Sequence, residues 1–233
     1  MQPEAPQFPP MFRLFHLPLS PFCRKVRLVL AEKRLDVDLV EERPWEGRLD
    51  FLRMNPAGKV PVLVTDDGKV LSESRAIVGY LEELHPEPPL MPDDPLKRAE
   101  VRRLVAWFDD KFHREVTENL LYERVTKRLS RTGYPDGQCL KAGTRNIRVH
   151  LDYMTFLLEG HNWLAGNRMT IADLCAAAHI SCIDYIGDVP WDEYPSVREW
   201  YAVMKSRPGF RGLLADHLPG FPAPPPHYAD LDF

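Results

Sequence analysis

Three short motifs carry the residues of this 233-residue chain best suited to chemistry. The first, Ser20-Pro21-Phe22-Cys23-Arg24, opens a helical pattern. A serine hydroxyl there stands beside free backbone N–H groups and the positive end of a helix dipole, a place that favours an anion or a thiolate. The second, Asn55-Pro56-Ala57-Gly58-Lys59-Val60-Pro61-Val62-Leu63, enters an apolar run through an X-Pro bond. Such a bond can be held cis, which leaves the backbone groups of Val60 free to pair with an extended peptide. The third, Ser72-Glu73-Ser74-Arg75-Ala76-Ile77, places Glu73 and Ser74 at the head of the helical series Ile77, Tyr80, Leu81, Leu84. At a helix N-terminus these two suit a carboxylate and an ammonium group. Together the motifs describe a site able to hold a peptide thiol.

Each motif also has a structural reading. Ser20 before Pro21 is an ordinary N-cap, Pro61 shapes a sheet, and Glu73 and Ser74 cap a helix. Cys23 fits a small buried residue at a helix–sheet contact.

The elements that must position these groups are legible from periodicity. Residues 12–15 and 37–40 form short apolar strand patterns around a helix marked by Val26, Leu28, Val29 and Leu30, and 60–64 and 69–71 flank the turn Asp67-Gly68. The stretch His85-Pro86-Glu87-Pro88-Pro89-Leu90-Met91-Pro92 cannot continue a regular element, because proline removes donors and fixes φ. Beyond it the period becomes helical: Val101, Leu104, Val105, Phe108, Phe112, Val116, Leu120, then Ile147, Leu151, Met154, Leu158, then Val197, Trp200, Tyr201, Met204. Thr170-Ile171-Ala172-Asp173 reads as a variant capping box ahead of an apolar helix. The expected organisation is a disordered proline-rich leader (1–11), an α/β domain (12–84), a linker (85–94), an all-α domain (95–215) and a proline-rich tail (216–233).

Composition bounds the function. A hydrophobic content of 44% is that of a globular chain, and a net charge of −4 argues against a general nucleic-acid binder. No apolar run reaches membrane-span length, so membrane insertion is not expected. Cys23, Cys139, Cys175 and Cys182 show no CxxC pair and no histidine at ligand spacing, so reduced thiols and no metal site are expected.

The order and spacing of the three motifs, the proline linker and the Met169-Thr170-Ile171-Ala172-Asp173 box resemble the cytosolic glutathione S-transferase superfamily over roughly residues 12–215. The resemblance implies a thioredoxin-like N-terminal domain, a helical C-terminal domain, a glutathione-type pocket between them and a homodimer. It also implies that Ser20 is the catalytic position, that Val60 before cis-Pro61 pairs with the peptide backbone, and that Glu73 and Ser74 meet a γ-glutamyl group. On that reading the Ser20 hydroxyl and the helix N-terminus lower the thiol pKa from about 8.5 toward 7. A serine in place of cysteine disfavours thioltransferase chemistry. Arg34 departs from the family, which often has glycine at this helix end, and disfavours a left-handed cap.

Three features fall outside a transferase. Trp45, in Arg43-Pro44-Trp45-Glu46-Gly47, is either packed against its own domain or an interface anchor. The segment from Arg124 to Arg148 is basic, which is the pattern of a solvated helix face or of a surface that steers an acidic partner. The tail Pro219–Phe233 reads as a stiff spacer presenting Tyr228, Asp230, Leu231, Asp232 and Phe233 to a partner, or else as a segment that folds back. With Trp45, this tail is similar to an α-proteobacterial branch of transferase-like proteins localised with FtsZ. That similarity implies a cytoplasmic, dimeric division-site adaptor that binds and curves or bundles FtsZ filaments, needs no glutathione, and meets other division proteins through the tail. The alternative is a transferase that conjugates glutathione to small electrophiles through Ser20.

Overall fold

The computed structural model describes residues 12–231. The expected leader, Asp232 and Phe233 lie outside the described residues.

The N-terminal half is a four-stranded sheet in the order β2-β1-β3-β4, formed by β1 (Phe12–His16), β2 (Val37–Glu41), β3 (Val62–Val64) and β4 (Val70–Ser72). β1 and β2 run parallel, while β3 is antiparallel to both β1 and β4. Alternation along the strands divides the sheet's side chains between two faces. Leu14 and Leu63 join the main core with α1 (Pro21–Glu32) and α3 (Ser74–Leu84), while Phe15 and Val62 pack with Phe51 of α2 (Leu49–Met54). The Val60–Pro61 bond is cis.

The end of α1 corrects the expectation for Arg34, which takes φ 55°. The Leu35 N–H donates to the Leu30 carbonyl at 2.9 Å and the Arg34 N–H to that of Ala31 at 3.0 Å. These two bonds are the Schellman pair, and they satisfy helix-end carbonyls at the cost of a left-handed non-glycine residue.

Lys33 and Glu82 pin the linker. The Lys33 ammonium donates to the carbonyls of His85 (2.5 Å) and Pro88 (3.2 Å), and Glu82 accepts from the N–H groups of Leu90 and Met91, both at 3.0 Å. The second half is helical: α4 (Pro95–Ala106) continues through wide turns over Trp107–Thr126 into α5 (Lys127–Ser130), followed by α6 (Gly137–Leu158), α7 (Ile171–Tyr185), α8 (Pro195–Ser206) and α9 (Arg211–Leu214). Within the wide-turn stretch, Asn119 Nδ2 donates to the Arg114 and Glu115 carbonyls, and Asn146 of α6 donates to Glu115 as well. Side-chain donors of this kind satisfy carbonyls that regular helix bonds leave unpaired.

α7 is buried along its whole length. Its capping box is complete: Thr170 Oγ1 accepts from the Ala172 N–H, and Asp173 Oδ2 accepts from the Thr170 N–H at 2.9 Å. α7 packs directly on α1, so the helix that begins at Ser20 is clamped between the sheet and the helical half.

Candidate functional site

Ser20 stands at the N-cap of α1, where its Oγ accepts from the Cys23 N–H at 3.3 Å. The structural reading of the hydroxyl is therefore realised. Burial pushes the Cys23 thiol up to about 11 against the lowering pull of the Ser20 bond, so this thiol is not a thiolate at neutral pH.

The second and third motifs meet at a small cavity of about 170 Å³ lined by Phe22, Lys59, Val60, Pro61, Glu73 and Ser74. Ser20 does not line it; Phe22, which the sequence reading passed over, does. The Phe22 ring lies 4.7 Å from His113 and 5.6 Å from His179, filling the space between the cavity and the helical half. Glu73 makes no cap bond with its side chain, which corrects the expectation that it caps α3. Its backbone sits at φ 75°, ψ 117°, an unfavourable region for a residue with a side chain. Glu73 is exposed, its carboxylate accepts from Ser74 Oγ at 3.5 Å, and it lines the cavity together with Lys59 of opposite charge. The cavity suits a ligand bearing both an ammonium and a carboxylate.

Asp109 ties α1 and the third motif to the helical half. Lys25 of α1 meets its Oδ2 at 2.5 Å, and Arg75, next to Ser74, meets the same oxygen at 3.0 Å. Its Oδ1 receives Cys175 Sγ at 3.2 Å and lies 3.3 Å from His179 Nε2. Burial alone would raise the Asp109 carboxyl, but the His179 bond and the Lys25 charge hold it well below the ordinary range. Cys175 and His179 are four residues apart on α7, so a histidine does lie at ligand spacing from a cysteine, contrary to expectation. The ligand atoms of Asp109, Cys175 and His179 lie within 4.8 Å of one another. Two side-chain cations already sit on this carboxylate.

Trp45 is half-buried in the single turn Pro44–Glu46, ahead of Gly47 at φ 60°. Arg48 Nη2 binds the buried Glu42 at 2.6 Å and pins the loop, while neighbouring Leu49 is 71% exposed. Four residues of the basic segment engage partners within the fold: Arg124 meets Asp188 (2.9 Å), Lys127 meets Glu123 (2.6 Å), Arg148 meets Glu193 (2.6 Å), and Arg128 lies 4.8 Å over the Phe221 ring.

Of the two readings of the tail, the folded-back one holds for Tyr228. This residue, expected on the other reading to face a partner, is fully buried against Tyr185 with ring centroids 5.3 Å apart. Its hydroxyl accepts from Arg24 Nη1 at 3.0 Å and donates to the Leu213 carbonyl at 3.2 Å. Asp230 and Leu231 remain exposed. No helix among the described residues is long and apolar enough to cross a membrane.

Comparison with known proteins agrees with this architecture. Residues 14–89 match the glutathione S-transferase N-terminal domain and residues 120–208 the C-terminal domain. FtsZ-localized protein A of Caulobacter vibrioides is 50% identical over 223 residues, covering 94% of this chain and 97% of that protein. The solved structure of FzlA from C. crescentus superposes with a TM-score of 0.92 at 49% identity, covering 96% of this chain and all of the other. A crystal structure described as a glutathione S-transferase from Rhodospirillum rubrum F11 gives 0.92 at 52% identity with the same coverage. This chain belongs to the glutathione S-transferase family.

Proposed function

We propose that this chain is a cell-division adaptor that associates with FtsZ and organises its filaments, acting in the cytoplasm at the division site and without a requirement for glutathione. The observation that carries the reading is the 50% identity to FtsZ-localized protein A, which runs over 94% of this chain and 97% of that protein. The site geometry supports it: the Ser20 hydroxyl accepts from the Cys23 amide, and Phe22 rather than Ser20 lines the cavity. Trp45, with exposed Leu49 beside it, supplies the contact, and the exposed Asp230 and Leu231 meet further division proteins. A homodimer would present each surface twice and turn weak single contacts into a crosslink.

Co-sedimentation with polymerised FtsZ tests the reading. The parent protein pellets with filaments, and Trp45→Ala weakens binding by about 2 kcal/mol, roughly thirtyfold, while the fold persists. A parent protein that stays in the supernatant rejects the proposal. Light scattering that gives a monomeric mass at micromolar concentration rejects the dimer alone.

A second reading, glutathione conjugation through Ser20, draws on the open Glu73–Lys59 cavity and the strained Glu73 backbone. Calorimetry separates the two. Micromolar glutathione affinity, with conjugation lost in Ser20→Ala, puts the transferase first; no heat at millimolar glutathione removes it.

A further inference from the structure

The buried end of the tail is wired to the head of α1. Arg24, in the first motif, is fully buried, and its guanidinium bonds spread over four partners. Nη1 donates to the Tyr228 hydroxyl at 3.0 Å and to Ser181 Oγ on α7 at 2.8 Å, Nη2 donates to Asp216 at 3.2 Å, and Nε donates to the Pro18 carbonyl at 2.8 Å. Pro18 belongs to the turn that closes with the Ser20 N–H on the Leu17 carbonyl at 3.0 Å, and Ser20 then caps α1. One side chain therefore touches both the tail and the loop that carries Ser20. From α8, the buried Lys205 donates to the carbonyls of His227 (2.7 Å) and Asp230, and His227 Nε2 lies 2.9 Å from Asp184 Oδ1 of α7. The segment from Pro226 to Asp230 is gripped from both sides, while Asp230 and Leu231 stay accessible.

We propose that residues 216–231 form a latch on the first motif, in which seating of Tyr228 fixes Arg24 and, through the Pro18 carbonyl, fixes the Pro18–Ser20 turn at the head of α1. Two states follow. In the seated state the buried guanidinium has all four partners and the turn is clamped. In the released state Arg24 loses the Tyr228 hydroxyl, and a buried charge short of an acceptor relaxes at the expense of its remaining bonds. Whatever pulls on Asp230 and Leu231 then loosens Ser20, and by reciprocity a ligand that tightens the Ser20 turn seats the tail. This coupling goes beyond the proposed function, which uses the tail only as a contact surface.

Hydrogen–deuterium exchange on the full chain tests the latch. Tyr228→Phe keeps the ring and removes the oxygen that Arg24 uses. The Ser20, Cys23 and Arg24 amides should exchange about tenfold faster, the scale of one lost hydrogen bond to a charged group, with α6 amides unchanged. Lys205→Met loosens the same segment from the other side and should give the same pattern. The proposal is overturned if the Tyr228 and Asp230 amides speed up in both variants while the Ser20 turn keeps its parent rates. It is equally overturned if all amides, those of α6 included, speed up together in both variants, because the tail would then be ordinary core with no particular line to α1.

Discussion

The Trp45 loop and the C-terminal tail look alike in sequence, each an aromatic residue among prolines and charges, yet the fold treats them oppositely. Trp45 stays half-buried in a surface turn that is tied locally, by Arg48 to Glu42 six residues earlier. Tyr228 disappears into the core because its ties are distant: Arg24 from the first motif, Tyr185 from α7 and the Leu213 carbonyl. Proline excludes a segment from helix and sheet but not from burial. An extended ribbon leaves its carbonyls unpaired. Here the Lys205 ammonium takes up two of those carbonyls, at His227 and Asp230.

Deleting the chain after Pro226 against mutating Trp45 should break the likeness most visibly. Truncation removes a fully buried tyrosine, leaves Arg24 an acceptor short and takes away the His227 and Asp230 carbonyls to which Lys205 donates, so a loss of at least about 3 kcal/mol is expected, on the scale of large aromatic core deletions. That corresponds to a fall in Tm of roughly 10 °C for a chain of this size. Trp45→Ala should cost below about 1 kcal/mol, as surface substitutions do. Equal melting temperatures for the two variants would dissolve the contrast.

Acid provides a measure of the body that is independent of the tail. Burial pushes His150 and His179 down to about 4 from the ordinary 6.5, and burial with the Arg27 charge does the same to His16. The unfolded chain takes up these protons near pH 6.5, whereas the folded chain resists until about 4. Stability is therefore full above 6.5 and falls as pH drops toward 4, by about 2 kcal/mol per histidine at pH 5. His150 also accepts the Trp107 indole N–H at 3.0 Å, a bond that a proton on Nδ1 would abolish. His150 and His179 pack away from the tail, so the truncated protein should retain most of this slope between pH 7 and 5. A flat pH profile in the parent protein would show that these rings are hydrated.

How far the sequence foretold each region depended on the distance between partners. The Asp67-Gly68 hairpin, the Thr170–Asp173 capping box and the periodic faces of Val101–Phe108 and Val197–Met204 are set by neighbours within a few residues, and each appears where the pattern places it. The cavity was half legible. Val60, Pro61, Glu73 and Ser74 do converge, and the cap at Ser20 is a local bond that the Ser20-Pro21 pair already suggested, but the arrival of Phe22 depends on His113 and His179 from the helical half. Asp109 gave no warning. Beside Asp110 in a helical series it reads as part of a solvated acidic face, and only tertiary packing brings Lys25, Arg75 and His179 onto it. The burial of Arg24 and Tyr228 was hidden for the same reason, since their partners lie 204 positions apart.

The smallest expected effect tests whether local ties such as those around Trp45 dominate a residue's own preference. Arg34 is held at φ 55° by the Leu35–Leu30 and Arg34–Ala31 backbone bonds, which close the end of α1 whatever side chain stands there. A left-handed non-glycine residue costs about 1–2 kcal/mol, and glycine gives back about 0.5–1 kcal/mol of that advantage through its freer unfolded chain. Arg34 is exposed and no side-chain bond would be lost, so Arg34→Gly should stabilise the protein by about 0.5–1 kcal/mol, a rise in Tm of about 2 °C. Urea unfolding at equal slope with a higher midpoint would verify it. A lower midpoint would mean that the arginine contributes more to the helix end than its strained backbone takes away, and that the family's preference for glycine there does not extend to this chain.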